Sequence, residues 1–282
     1  MKDLLHKYEA FRWLDFTTDE HQKLYTAKHS FALDDALAQS VGDQQSLPTV
    51  RLWLHDPTVV LGIPDARLPY IAEGITVFDR NIYDVIVRNS GGLAVILDPG
   101  VLNISIILPN AKKLSIDEAY EWMYAYITHM FSDLTDEIEA YEIVGSYCPG
   151  DYDLSIRGVK FAGLSQRRIK DGVSIQIYID ITGDSHKRAT LIRSFYDKSK
   201  RDAELTFNYP TVESEKMGNL ARLLGEELTV KDVAMRAKHS LIDIAEEVTF
   251  EEAITDNEKT IFDSRLKMME QRNEQLQEML YK

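Results

Sequence analysis

Apolar and polar positions along the chain change period several times, and each change marks an element. Phe31 to Ser40 follows the helical period. Thr49 to Leu54 and Val59 to Ile63 are short apolar runs split by His55-Asp56-Pro57, which predicts two strands and a turn. Ser115 with Glu118 has capping-box spacing, and Ile116, Tyr120, Met123, Ile127, Met130 and Leu134 follow the 3.6 period, so a helix is expected there. Val173, Ile175, Ile177 and Ile179 alternate with Ser174, Gln176, Tyr178 and Asp180, the pattern of a half-buried strand. Helical periodicity returns from Asp184 to Tyr196, and beyond about Phe207 the chain reads as helical and charged. There Phe250, Ile254, Ile261, Leu266, Met269, Leu276 and Leu280 form a loose stripe suited to packing on the rest of the molecule. The fold expected is α+β, with mixed or antiparallel sheets packed with helices. The expected organisation is one domain over residues 33–245, with a helical segment at 246–282 packed on it.

Within this pattern the stretch Gly145 to Lys170, GSYCPGDYDLSIRGVKFAGLSQRRIK, stands out for its chemistry. Leu154 and Ile156 alternate with Asp153, Ser155 and Arg157. Arg157-Gly158 makes a two-residue turn, and Val159 and Phe161 resume the alternation. Such a hairpin pairs Ile156 with Val159 and Leu154 with Phe161 on the core face, and Ser155 with Lys160 and Asp153 with Ala162 on the other. The loop Gly145 to Gly150 delivers Cys148, the only cysteine, to the edge of the face that carries Lys160. A cation beside a thiol favours the nucleophilic thiolate, which suggests acyl transfer. Taken singly these residues are ordinary: a lone cysteine is most often a small buried hydrophobe, a strand lysine is usually solvated, and Asp153 could simply close a turn. The setting of Cys148, between two glycines and beside Pro149, is a turn and not an apolar run.

A second segment, Arg88 to Ser105, reads RNSGGLAVILDPGVLNIS. Arg88 and Ser90 lead into Gly91-Gly92, then come an apolar strand, a Pro99-Gly100 turn and another apolar strand. Paired glycines let backbone approach a ligand closely, although a glycine pair alone is equally a bend between core strands.

Together, RNSGGLAVILDPGVLNIS and DLSIRGVKFAGLSQRR resemble the lipoate-protein ligase and octanoyltransferase family, whose catalytic fold also serves biotin attachment. The resemblance runs from about Leu33 to about Tyr196. It implies an acyl-binding groove beside the Gly-Gly strand, with Arg88, Ser90, Gly91, Gly92, Asp153 and Gly163 binding substrate and Lys160 near the acyl carbonyl or tuning the nucleophile. The chain departs from the ATP-using ligases, which usually carry a third glycine and a histidine where Leu93 and Leu97 stand here, and this argues against adenylate formation. GSYCPGDYDLS looks most like the branch that moves an octanoyl or lipoyl group from the lysine of glycine cleavage H protein to the lipoyl domains of 2-oxoacid dehydrogenase E2 subunits. Transfer from acyl carrier protein, an ATP-dependent ligase and a noncatalytic lipoyl-domain binder remain as alternatives. The implied chemistry has two steps: Cys148 takes the acyl group as a thioester, and an acceptor lysine removes it, with Lys160 as general acid and then base. This scheme needs no cofactor.

Composition fits that reading. A chain of 282 residues, 44% of them hydrophobic, can build one large core. A single cysteine precludes an internal disulfide and suits a reducing compartment, and MKDLLHKYEAFRWLDF is too charged for a signal peptide or a membrane span, so a cytoplasmic protein without a membrane partner is expected. The net charge of −14 argues against nucleic acid as a partner, and the seven histidines show no metal-ligand spacing. Two local clusters run against the overall charge: Arg167, Arg168 and Lys170, and His186, Lys187 and Arg188. The first is expected to dock acidic lipoyl domains, although a solvated rim has the same composition.

Overall fold

The computed structural model describes residues 2–280, apart from the side chains at positions 2, 3, 22, 275, 277, 279 and 280, so Leu280 of the apolar stripe lies outside the described side chains. The described strands are β1 (Ala10–Phe16), β2 (Thr49–Trp53), β3 (Thr58–Leu61), β4 (Asp84–Val87), β5 (Val95–Leu97), β6 (Val101–Pro109), β7 (Ile138–Ala140), β8 (Leu154–Ile156), β9 (Val159–Ile169), β10 (Gly172–Asp180) and β11 (Glu247–Glu251). The helices are α1 (Lys2–Leu5), α2 (Asp19–Leu24), α3 (Ala27–Gly42), α4 (Ile71–Asp79), α5 (Ile116–Met130), α6 (Ser185–Lys200), α7 (Leu220–Leu224), α8 (Val230–Ile244) and α9 (Asp256–Leu280). Eight strands form one sheet in the order β11-β1-β2-β6-β10-β9-β8-β7, and β4-β3-β5 form a second. The large sheet is parallel where β1 meets β2 and β11 and antiparallel from β2 to β7, so the chain is α+β with mixed sheets packed with helices.

Two apolar layers hold the large sheet. Trp122, Met123, Tyr126 and Ile127 of α5, with Val233, Ala237 and Leu241 of α8, bury one face against Val50, Ile104, Ile106, Ile175 and Ile177. Phe31, Leu33, Leu37 and Val41 of α3 join the second sheet, α4 and α6 in the other layer. Helix α5 begins where its capping box predicts: Ser115 N–H donates to Glu118 Oε2 (2.7 Å) and Glu118 N–H to Ser115 Oγ (3.0 Å).

The structure departs from the sequence pattern in three places. Strand β10 is buried along its whole length, not half-buried, because α3 covers its polar face. Gln176 and Ser105 both donate to Asp34, at 2.7 and 2.6 Å, and Asp34 pairs with Arg51 at 3.0 Å, so polar side chains are buried there with partners. In the β8–β9 hairpin Ser155 opposes Lys160 as expected, with both turn residues, Arg157 and Gly158, at positive φ (51° and 73°). Leu154, however, opposes Ala162 and not Phe161, because a bulge inserts one residue on β9. Finally, the tail is not wholly helical: EVTFE pairs with β1 as β11, and half-exposed Phe250 belongs to this strand. Strands β1 and β11 thus lie outside the interval 33–245 yet belong to the same sheet. Helix α9 packs on α3, with Met269 and Leu276 buried.

Candidate active site

Cys148 sits in the loop between β7 and β8 with φ +46°, in the left-handed region that non-glycine residues rarely occupy. The turn at Gly145, φ +88°, and the bond from Asp153 N–H to Gly150 O (3.0 Å) close this loop. Its sulfur is partly exposed and accepts two N–H contacts: Leu93 N–H at 3.1 Å and Arg88 Nη2 at 3.5 Å. The same Nη2 donates to Leu93 O at 2.8 Å, so Arg88 grips the residue that grips the sulfur. Arg88 is 5% exposed and has no carboxylate within ion-pair distance among the described residues. A buried guanidinium without a carboxylate favours an anion beside it, and the group placed there is Sγ.

The Gly-Gly pair makes this approach possible, but its members differ. Gly92 has φ +96°, and a Cβ there would lie 2.3 Å from Arg88 Nη2 and 3.0 Å from Sγ. A Cβ on Gly91 would meet nothing within 4 Å, so Gly91 faces open space. That space is a cleft of about 270 Å³ reaching from Gly91 and Gly92 past Cys148 to Tyr120, Tyr152 and Leu164. A larger depression between α5 and α8 is lined by none of these residues.

Lys160 contributes differently from the expectation of an amine facing the groove. It is fully buried, and Nζ donates to Asp153 Oδ1 (2.7 Å), Cys148 O (2.8 Å) and Tyr147 O (3.0 Å), with Ser146 Oγ at 3.4 Å. Its contacts are therefore to the main chain of the cysteine loop, while the sulfur's donors come from Arg88 and Leu93. Asp153 Oδ2 also accepts from Ile143 N–H at 3.2 Å and Ser146 Oγ at 3.4 Å, so both its oxygens are engaged inside the protein at the cleft floor. Burial pushes its carboxyl above the usual carboxylate range, and Lys160 pulls it back down. The bulge on β9 places Gly163 beside Lys160: a Cβ there would lie 2.7 Å from the Tyr178 ring and 3.3 Å from Lys160 Cε.

Ser90 is buried below the cleft with its Oγ 3.4 Å from Ser165 Oγ, whose single hydroxyl hydrogen is shared with Gln176 Oε1 at 3.2 Å. The basic cluster is engaged internally. Arg167 pairs with Asp35 (3.2 Å), which also accepts from Asn89 at 3.0 Å and so ties the cluster to the Arg88 segment. Arg168 donates to the carbonyls of Ala111, Leu114 and Ser115 at 2.6 to 2.8 Å. Lys170 is half exposed and pairs with Asp43 at 2.8 Å. In the second cluster His186 and Lys187 are exposed, but Arg188 is buried between Asp98 (2.6 Å) and Asp180 (2.8 Å) and forms no part of a rim. The sequence reading missed the Leu93 N–H, because a backbone donor carries no residue-type signal. Tyr120 and Tyr152, tilted against each other at 34° with centroids 5.1 Å apart, were also missed; Tyr120 read as helix periodicity alone.

Among the described residues no three His, Cys, Asp or Glu side chains gather as a metal site, and no helix is long and apolar enough to cross a membrane. The sequence is 52% identical over 275 residues to the octanoyl-[GcvH]:protein N-octanoyltransferase of Oceanobacillus iheyensis, covering 97% of this chain and 98% of the relative. It is 45% identical to the lipoyl-[GcvH]:protein N-lipoyltransferase of Listeria monocytogenes, over 86% of each chain. A crystal structure of lipoate-protein ligase A bound with ATP shares the fold, with a TM-score of 0.68 at 17% identity over 92% of this chain and 94% of that one. Residues 26–242 match the lipoyl protein ligase A/B catalytic domain, and the chain belongs to that family.

Proposed function

We propose that this chain is an acyltransferase that moves an octanoyl or lipoyl group from the lysine of glycine cleavage H protein to the lysine of E2 lipoyl domains, through a thioester on Cys148. The observation that carries the reading is the sulfur of the only cysteine, on left-handed backbone at a cleft, with the Leu93 N–H and a buried guanidinium directed at it. The relatives named for octanoyl and lipoyl transfer from GcvH support the donor and the acyl class, and a single cysteine, which stays reduced in a cytoplasmic setting, suits that compartment. In this reading the catalytic unit is residues 33–245 together with β1, while 246–282 adds β11 to its sheet and packs α9 on α3.

In the first step Sγ attacks the amide carbonyl of the donor; the C–S bond forms, the C–N bond breaks, and the departing lysine amine takes a proton. In the second step a neutral acceptor amine attacks the thioester, loses a proton, and the C–S bond breaks to regenerate the thiolate. Lys160 is the proton donor and acceptor of this reading. Its ammonium donates to Cys148 O at 2.8 Å, the carbonyl of the nucleophile's own residue, and this contact supports the assignment. Arg88, Ser90, Gly91 and Gly92 border the acyl group, Asp153 and Gly163 keep Lys160 in place, and the cluster Arg167, Arg168 and Lys170 meets the acidic lipoyl domain chiefly through half-exposed Lys170, the two arginines being held by internal partners. Mixing the enzyme with octanoylated H protein and apo lipoyl domain tests the reading. Expected are transfer without ATP and a hydroxylamine-labile octanoyl adduct on Cys148, both absent in Cys148→Ala. Transfer only from free acid with ATP, an adduct on Lys160, or turnover by Cys148→Ala would overturn it.

A further inference from the structure

Leu93 is held from both of its neighbours by groups distant in sequence. On its C-terminal side, Ala94 N–H donates to Tyr196 Oη at 3.3 Å. Tyr196 in turn donates to Asp65 Oδ1 at 3.0 Å, and Asp65 Oδ2 accepts from Gly62 N–H at 2.7 Å. On its N-terminal side, Gly62 lies against Gly92 so closely that a Cβ on Gly62 would sit 2.0 Å from Gly92 O. One carboxyl, with one phenol, therefore fixes both Gly92 and Ala94. Between them, Leu93 N–H points at the sulfur at 3.1 Å and Leu93 O accepts from Arg88 at 2.8 Å.

We propose that Asp65 and Tyr196 are positioning residues of the transferase site, holding the Gly92–Ala94 backbone so that the Leu93 N–H stays on Cys148. The proposal rests on the reading of Cys148 as nucleophile and adds two residues to it. Asp65 is 0% and Tyr196 1% exposed, so neither touches substrate; they act through the main chain. Packing alone does not require them, since a phenyl ring fills the place of a phenol and an apolar residue at position 65 would avoid burying a carboxyl. Burial pushes the Asp65 carboxyl up to about 6 against the pull of Gly62 N–H, Tyr196 and nearby Arg88, so keeping the group there costs stability. The charged and titratable groups that bear on the pair include Arg88 and Tyr209 at Asp65, and the Cys148 sulfur and Lys200 at Tyr196, the Lys200 ammonium lying 5.6 Å from the ring centroid.

Tyr196→Phe removes the phenol oxygen and keeps the ring. Single-turnover acylation of Cys148 by octanoylated H protein should fall on the order of ten- to hundredfold with the donor KM unchanged. Iodoacetamide alkylation of Cys148 should slow in the native variant and match wild type in urea. Tyr209→Phe is the structural control, because its hydroxyl binds Pro64 O at 2.7 Å and makes no contact with the Gly92–Ala94 backbone; it should stay within about twofold of wild type. Should Tyr196→Phe fail to fold, Asp65→Asn in the same measurements must show the loss. Wild-type acylation rates in the folded variant, a change in KM alone, or an equal loss in Tyr209→Phe would overturn the inference. If wild-type enzyme itself forms no adduct on Cys148, it is the parent reading that fails.

Discussion

On one side of Cys148, strand β9 presents Lys160, which reaches the carbonyls of the nucleophile loop; on the other, the segment after β4 presents Arg88 and the Leu93 N–H, which reach the sulfur. The hairpin side is an ion pair with every Nζ hydrogen provided with an acceptor. The glycine side leaves a buried cation without a carboxylate. The first arrangement holds a main chain in an unfavourable conformation, and the second directs two N–H donors at a sulfur. The two sides therefore differ in what they hold: Lys160 and Asp153 hold the loop, with proton transfer by Lys160 part of the proposal above, and Arg88 and Leu93 supply the donors at sulfur.

The largest effect that tests this division is expected at Lys160. Lys160→Met leaves Asp153 buried without its cation, and unfolding in urea should show a loss on the order of 3–5 kcal/mol together with the loss of transfer. Adding Asp153→Leu should recover most of the stability and none of the activity. A single variant as stable as wild type would mean that the pair does not hold the loop. Arg88→Met should do the reverse: stability within about 1 kcal/mol of wild type, because a buried charge with no carboxylate at ion-pair distance among the described residues is removed, and a fall in Cys148 acylation on the order of 10². Equal losses of stability at the two positions would erase the distinction between the two sides.

A smaller effect concerns pH. Asp65 is pushed from 3.8 to about 6, so between these values the folded protein keeps a proton that the unfolded chain has released. The stability this carboxyl contributes is complete below about pH 4 and is lost as pH rises through about 6. Relative to Asp65→Asn, the wild type should lose ~3 kcal/mol of unfolding free energy between pH 4 and pH 7, measured by urea titration. Parallel curves for the two proteins would place the titration elsewhere. The smallest effect is expected outside the cleft: Lys170→Glu should lower kcat/KM for lipoyl-domain acceptors by a few-fold at low salt, with the difference vanishing at high salt, since exposed charges are screened within about 8 Å. A salt-independent rate in both proteins would remove Lys170 from the docking surface.

Where the local pattern was strong the chain was legible: the Ser115/Glu118 cap, the Arg157-Gly158 turn and the alternation of β10 all name their elements. Period-2 alternation gives a strand's two faces but not what lies on them, so the burial of Gln176 under α3 had no signal in β10 itself. The bulge at Phe161 was hidden because Phe161 and Ala162 are both apolar, and either one fits the core position. In the site, Cys148 and Lys160 were legible as reactive residue types in a turn and a hairpin. The contacts that decide how each is used were not, because Leu93 acts through its backbone, Asp65 and Tyr196 are 131 residues apart, and Arg88 reaches across 60 residues to the sulfur.

Strand β1 has a consequence for how the chain is made. It pairs in parallel with both β2 and β11, and Arg12 at its centre donates to Thr49 (3.1 Å), Glu251 (3.2 Å) and Glu258 (2.7 Å). During synthesis β1 and β2 are available early, but the carboxylates that compensate Arg12 emerge from the ribosome about two hundred residues later. Until then one edge of β1 presents unpaired N–H and C=O groups beside a guanidinium destined for burial. Contacts of such long range close slowly, so this end of the sheet should be the last to consolidate and the most dependent on chaperone protection while it waits.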